Sequence, residues 1–346
     1  ETEILGEEGV SEKELLSTMV ELYAEYNVPA YMQDCTYLYQ QKSVYAMYEV
    51  LRNRRAMLGL TQEQLCEEIC SVKSLRRAEK GQTDMQMESV RKILNRLGLS
   101  GQMQWARLIT NDRDVIKDAE KLIYYMNNRD CVMAYEKLEK LKLKVSSDIP
   151  QNKQFFMEKQ AVLDLEQKKI DLGEFSKLEK EALRCTLPID NLLNQTSVYL
   201  TEREVTCIRN SWSGMEEQEK RESIRFLLEF YQKYIEGKGI SEVISMYEFV
   251  TEGVVEELGN MGEHEFAQKI DRKAIRASLS CRRLCDIHYK LYDIWWNENE
   301  RKKKEGKETS KDEKCRVFKK CIILSHYVKR YFYEKIYIEK LEKLIK

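Results

Sequence analysis

Apolar residues recur at three- and four-residue intervals along most of the chain, the period of a helix buried on one face. The first run is 11–26, SEKELLSTMVELYAEY, in which Leu15, Met19, Leu22, Tyr23 and Tyr26 share a stripe. Ser11 precedes it and Glu14 follows three residues on, a pairing that closes a helix N-terminus reciprocally. Asn27-Val28-Pro29 breaks the pattern, and the Tyr-rich stretch 31–45 predicts a second helix. Between 45 and 99 the helices shorten, and Gly59, Gly81 and Gly98 punctuate them. Thr61, with Gln64 as its capping partner, opens a helix over about 62–69 that turns Leu65 and Ile69 inward. After a tight turn at Cys70-Ser71, a helix over about 72–80 carries Leu75 inward and Lys73, Ser74, Arg76 and Arg77 outward, and Gly81 stops it. A further helix presents Val90, Ile93, Leu94 and Leu97.

From residue 112 onward the pattern is nearly continuous helix, and it repeats. Polar turns centred on Arg129, Gly173, Gln218, Gly262 and Gly306 lie 44, 45, 44 and 44 residues apart. A fixed period of this size in a helical stretch predicts stacked helical hairpins, about five of them. The period exceeds that of a standard tetratricopeptide unit and overlaps the HEAT and armadillo range. The small residues that follow the turns, Ala134, Ser223 and Ala267, give the units a tetratricopeptide-like character with lengthened helices. Residues 298–314, ENERKKKEGKETSKDEK, read as a mobile loop, and 315–345 as one aromatic-rich helix that caps the stack.

Composition narrows the class. With 346 residues, two or three domains are expected, and 42% hydrophobic content supplies a core. Only 3 Pro and 14 Gly occur. That is too few for the turns of an all-β fold, and no Gly-rich strand-to-helix turn of a dinucleotide fold is present, so the chain reads as all-α. A formal net charge of −1 gives no global attraction to nucleic acid or membrane. Residues 52–98 nevertheless hold ten basic against six acidic side chains, a local +4 in an otherwise acidic chain. No apolar run reaches about 18 residues, so no bilayer span is expected. The start, Glu1-Thr2-Glu3-Ile4, lacks Met and lacks the basic and apolar regions of a signal peptide. The 10 Cys, several of them inside apolar stripes (Cys66, Cys70, Cys207, Cys321), read as reduced core thiols of a cytoplasmic protein.

The stretch Gly59-Leu60-Thr61-Gln62, with Leu65, then Glu79 and Gly81, and a trailing Leu97-Gly98-Leu99, resembles the Xre/Cro-repressor helix-turn-helix family over about 50 residues. Where that pattern has a large apolar residue three before the Gly, this chain has Ala78. The resemblance implies a lambda-repressor-like DNA-binding domain whose third helix enters the major groove, with a phosphate met at Gln62. On that reading the DNA-binding residues are Gln62, Ser71, Lys73, Ser74, Arg76 and Arg77. A short turn followed by a helical stack is similar to peptide-pheromone regulators of the Rgg/PlcR type. That implies quorum sensing through a short signalling peptide held in the repeat domain, and a homodimer on double-stranded DNA. Arg203, Asn210 and Tyr247, on helices taken as the first of their pairs, are the expected peptide-binding residues.

The expected organisation is therefore a helical extension over 1–44, a helix-turn-helix domain over 45–100 and a tetratricopeptide-like superhelix over 101–346. The expected function is sequence-specific transcriptional regulation gated by a peptide. The competing reading is a repeat-type interaction scaffold that keeps a vestigial helix-turn-helix. Cys281, Cys285 and His288 fall at i, i+4 and i+7, a spacing that would share a helix face and approach zinc-ligand geometry, but no fourth ligand is evident. Three dispersed His and no hydrolase motif leave no visible catalytic site, so neither enzyme activity, metal nor cofactor is expected.

Overall fold

In a computed structural model, the described residues are 10–30, 47–83, 85–99, 108–110, 112–195, 198–236 and 240–345. In chain order their α-helices are α1 (Glu12–Glu25), α2 (Met47–Met57), α3 (Gln62–Cys66), α4 (Val72–Ala78), α5 (Met87–Arg96), α6 (Arg113–Asn127), α7 (Cys131–Lys144) and α8 (Pro150–Glu166). There follow α9 (Leu172–Arg184), α10 (Glu202–Ser211), α11 (Glu217–Glu236), α12 (Ile240–Asn260), α13 (His264–Ser280), α14 (Ile287–Lys304), α15 (Lys311–Tyr327) and α16 (Tyr331–Ile345). No strand occurs among the described residues. The helix expected over 31–45 lies outside them, as does Asp84. The chain divides into two compact units, 43–230 and 1–42 with 231–346.

In the first unit, α2 to α5 close over Leu51, Met57, Leu65, Leu75, Ile93 and Leu97, all essentially excluded from water. Thr61 and Gln64 form the expected capping box of α3. That helix ends at Cys66, earlier than its pattern predicted, because Glu68 takes a left-handed φ of 58°. Its last carbonyls are not left bare. The Arg96 Nη1 donates to the carbonyls of Gln64, Leu65 and Glu67 at 3.1, 3.2 and 2.8 Å. Ser71 caps α4 by accepting from the Ser74 amide.

The same unit contains the first hairpins. Helix α6 packs on α7, α8 on α9 and α9 on α10. A fully buried arginine joins the helix-turn-helix segment to them. Arg54 donates from Nε to the Leu97 carbonyl at 3.0 Å, and from its two Nη groups to the carbonyls of Tyr199 and Thr186 at 3.2 and 3.0 Å. It also grips Glu204 in a forked ion pair at 3.0 and 2.5 Å, and both side chains are 0% exposed. Gly98 lies against the Thr186 carbonyl at φ 69°, so a Cβ there would collide with backbone.

In the second unit, α12 packs on α13, α13 on α14, α14 on α15 and α15 on α16. Helix α1 packs on α15, and its Leu22, Tyr23 and Tyr26, with Val28, share a core with Ile275, Leu279, Leu284, Ile287 and Leu324. The capping box at Ser11 and Glu14 is formed.

The hairpin turns sit partly elsewhere than their sequence markers. Arg129, Gly262 and Gly306 occupy left-handed turn positions as expected. Gly173 lies inside α9 and Gln218 inside α11, and the turn before α9 is carried by Lys168 at φ 58°. Residues 298–304 are not a loop but the end of α14, leaving only a short connection before Lys311. There the Lys-rich run is paired: Arg301 with Glu298 and Glu305, Lys302 with Glu313, Lys303 with Glu300. Cations at a helix C-terminus also complement its dipole. The expected last helix, 315–345, is two helices broken at Lys329, φ 59°.

Candidate functional site

The outward face of α4 follows from its length. In seven residues only Leu75 and Ala78 are needed to anchor it, and Lys73, Ser74, Arg76 and Arg77 remain exposed. Ser71 and Ser74 are also exposed but tied to each other, with Oγ atoms 2.8 Å apart. Lys73 and Arg77 make no ion pair among the described residues, so their charge is not spent inside the protein.

Gln62, half-buried at the start of α3, is held from two sides. Its amide nitrogen donates to Glu79 at 2.6 Å, and its carbonyl oxygen accepts from Arg76 Nε at 3.2 Å. One amide hydrogen is left over. Glu79, 5% exposed, also receives a forked pair from Arg55 at 2.6 and 3.1 Å, and Arg55 donates to the Leu60 carbonyl at 2.9 Å. The Glu79 carboxylate thus fixes α2, the N-terminus of α3 and the end of α4 as one rigid group. Of the ten basic residues over 52–98, Arg54, Arg55 and Arg96 serve this internal framework. The exposed ones include Arg52, Lys73, Arg76, Arg77, Lys80 and Arg91.

The three expected peptide contacts are divided between the two units. Arg203 and Asn210 lie in the first unit around two buried carboxyls. Arg203 pairs with Glu158 at 3.1 Å and its guanidinium sits 4.6 Å from the Phe155 ring centre. Asn210 donates to Glu179 at 3.2 Å. Burial, with Glu158 beside it, holds the Glu179 carboxyl well above the ordinary carboxylate range. Tyr247 belongs to the second unit, is 2% exposed, and has its hydroxyl pushed up to about 12 by burial and by Asp271.

Around Tyr247 lies a polar group that sequence reasoning passed over. Asp271 on α13 is 0% exposed, and neither carboxylate oxygen has a hydrogen-bond partner among the described residues. Lys290 on α14 is equally buried, but its ammonium is directed to the Glu248 carbonyl and the Thr251 hydroxyl at 3.2 and 3.1 Å. Asp293 on α14 and Glu252 on α12 are partly exposed. Withdrawal from water and the charge of Glu252 push the Asp293 carboxyl up to about 7. The sequence signal was there: Asp271 interrupts the stripe Ala267, Ala274, Ser278 at helical spacing, all 0% exposed.

Cys281, Cys285 and His288 do not share a helix face. Cys281 ends α13, Arg282 turns the chain at φ 57°, and His288 belongs to α14, where its Nδ1 meets the Tyr337 hydroxyl at 3.1 Å. No cluster suited to a metal ion occurs among the described residues. Their nine cysteines are unbridged. No described helix is long and apolar enough to cross a membrane.

The family model described as Helix-turn-helix matches residues 51–102. No curated protein matches the chain by sequence. Among solved structures, Bacillus thuringiensis PlcR in complex with the peptide PapR7 and DNA is 17% identical, with 85% of this chain and 99% of that one covered at a TM-score of 0.51. ComR from S. thermophilus, in complex with DNA and its signalling peptide ComS, is 11% identical, covering 87% and 100% at 0.42. ComR from Streptococcus suis is 14% identical, covering 94% and 99% at 0.42. Residues 51–102 are therefore a helix-turn-helix domain, set in a chain that shares the fold of PlcR.

Proposed function

We propose that the protein is a cytoplasmic, sequence-specific DNA-binding transcriptional regulator that acts as a homodimer and is gated by a short signalling peptide bound in its helical repeats. The observation that carries this reading is the outward face of α4, whose Lys73 and Arg77 are exposed and unpaired among the described residues while Leu75 and Ala78 anchor it. Gln62, Arg76 and Arg77 contact phosphates and set the register. Lys73, Ser74 and one arginine reach base edges in the major groove, and Ser71 stands at the turn that presents them. A single helix of this size offers few base contacts, so two half-sites supply the affinity. PlcR, whose fold is shared, has been solved with peptide and DNA together. That supports assigning the repeats, with Arg203, Asn210 and Tyr247, to a peptide. The role requires neither catalysis nor a cofactor.

Duplex binding to fragments of the protein's own upstream region, titrated against salt, tests the reading. The expected plot of log affinity against log salt has a slope of several units, and Arg77→Ala reduces it by about one. Absence of binding to every fragment at about 50 mM salt would leave a repeat scaffold with a vestigial helix-turn-helix.

A further inference from the structure

The four polar side chains on the outward face of α4 are not equally available. Arg76 is tethered: its Nε donates to the Gln62 carbonyl oxygen at 3.2 Å, and the Gln62 amide nitrogen is itself held by Glu79 at 2.6 Å. The Arg76 guanidinium is thereby turned back toward α3. Ser74 shares its hydroxyl with Ser71, Oγ to Oγ 2.8 Å, and its amide is capped by the same Ser71 oxygen at 3.1 Å. Lys73 and Arg77 are exposed and make no hydrogen bond or ion pair among the described residues. They lie four residues apart, so they stand one above the other on the helix surface. Buried Leu75 and Ala78 hold the opposite face against the core.

The chemistry of this free pair is one-sided. Lysine and arginine are donors with no acceptor. In the major groove the guanine edge offers two acceptors, N7 and O6. The adenine and cytosine edges each carry an amino donor, and thymine has one acceptor beside a methyl group. Adenine is matched by a side chain that donates and accepts together, and cytosine by an acceptor. Neither kind stands at 73 or 77. The fork of an arginine engages both guanine acceptors at once, and an ammonium engages either.

We propose that Lys73 and Arg77 are the base-reading pair and that each half-site carries two guanines for them, while Arg76 stays on the phosphate backbone. The inference rests on the DNA-binding reading above and deepens it by naming which arginine reads and which base it reads. Residues four apart are separated by about 6 Å along the helix axis, and base pairs stack about 3.4 Å apart, so the two guanines fall within about three base pairs of each other. Arg77 keeps its charge among the phosphates as it reads, so its share of the salt dependence remains.

The test uses the full chain and a duplex library with a randomised central segment, selected at about 150 mM salt, where non-specific binding is weakened. Sequencing of the retained duplexes is expected to show two guanines at that spacing in each half-site. Replacing either guanine by adenine is expected to cost the parent about tenfold or more. Lys73→Ala is expected to erase the preference at one position and Arg77→Ala at the other, whereas Arg76→Ala weakens binding to all duplexes alike and returns the parent's motif. Arg77→Lys keeps the charge and loses the fork, so it retains the salt slope while its guanine preference weakens. A motif without guanines at this spacing, or retention of both guanines by either Lys73→Ala or Arg77→Ala, would overturn the inference and leave sequence-specific regulation standing. Binding of every duplex alike would overturn sequence-specific recognition, and this inference with it. Absence of binding to any duplex would overturn the DNA-binding reading itself.

Discussion

Arg54 spends its guanidinium on three backbone carbonyls and one carboxylate, with no access to water. Its partner Glu204 has a second task, closing the N-terminus of α10 in a capping box with Thr201. Glu204→Gln removes the countercharge and turns an amide donor toward groups that all donate (Arg54, the Thr186 hydroxyl and the Thr201 amide), so it tests the ion pair together with its acceptor role. The expected cost is roughly 3–5 kcal/mol in a urea titration, the penalty of one buried uncompensated charge. A loss below about 1 kcal/mol would mean that the carbonyls alone satisfy the guanidinium. Asp293 behaves in the opposite sense. Its carboxyl ionises near 3.8 in the ordinary state and at about 7 in the fold, so between those values folding retains a proton that the unfolded chain releases. Its contribution to stability therefore falls as pH rises from about 4 to about 7 and is level above that. Stability curves of Asp293→Asn and the parent should diverge across that window, the variant gaining, with Glu252, Glu256, Asp271 and Lys290 as the charged groups facing the site. Parallel curves would show that Asp293 ionises normally. None of these contacts was read from the sequence. Arg54 and Glu204 are 150 positions apart, and a contact at that separation leaves no local pattern.

The helices end in one recurrent way, and this explains which elements were legible. After α6 the Arg129 amide donates to Met126 and the Asp130 amide to Tyr125. After α8 the Lys168 amide donates to Leu165 and the Lys169 amide to Asp164. After α12 Gly262 and Glu263 repeat the pair. Each closure needs one left-handed residue, a position that glycine fills without steric cost. Here Arg129, Lys168, Arg282 and Lys329 fill it instead. The repeat period therefore finds Arg129, Gly262 and Gly306 correctly, but takes Gly173 for a turn that stands five residues earlier at Lys168. Lys168 is exposed, so Lys168→Gly alters little besides the backbone. It is expected to raise the urea midpoint slightly, by about 0.5–1 kcal/mol of relieved strain less the added freedom of the unfolded chain. A fall in the midpoint would mean that the lysine stem packs usefully on its hairpin. The starts of α3 and α4 were legible because the Thr61 cap, the tight turn at Cys70-Ser71, the inward Leu65 and Leu75, and Gly81 agree on one arrangement, whereas the end of α3, set by Glu68 in a left-handed conformation, was not.

At the scale of the molecule, the all-helical class and the hairpin repeat followed from periodicity and from the scarcity of Pro and Gly, and the helix-turn-helix from its resemblance to the Xre/Cro pattern. What did not follow is how the helices group. Helix α1 shares its core with α13, α14 and α15, and the helix-turn-helix segment shares a compact unit with the hairpins up to Phe230. Both depend on long-range packing, which a local pattern does not encode. The buried polar residues Asp271, Lys290 and Glu248 were hidden for the same reason, since a charge on an apolar stripe is recognisable only once the stripe's partner is known. The Arg54 clamp has a practical corollary for protein engineering. Because Thr186, Tyr199 and Glu204 are its receptors, a helix-turn-helix segment transplanted onto these repeats, or moved from here to another stack, leaves an orphaned ion at the graft unless both halves of the lock travel together.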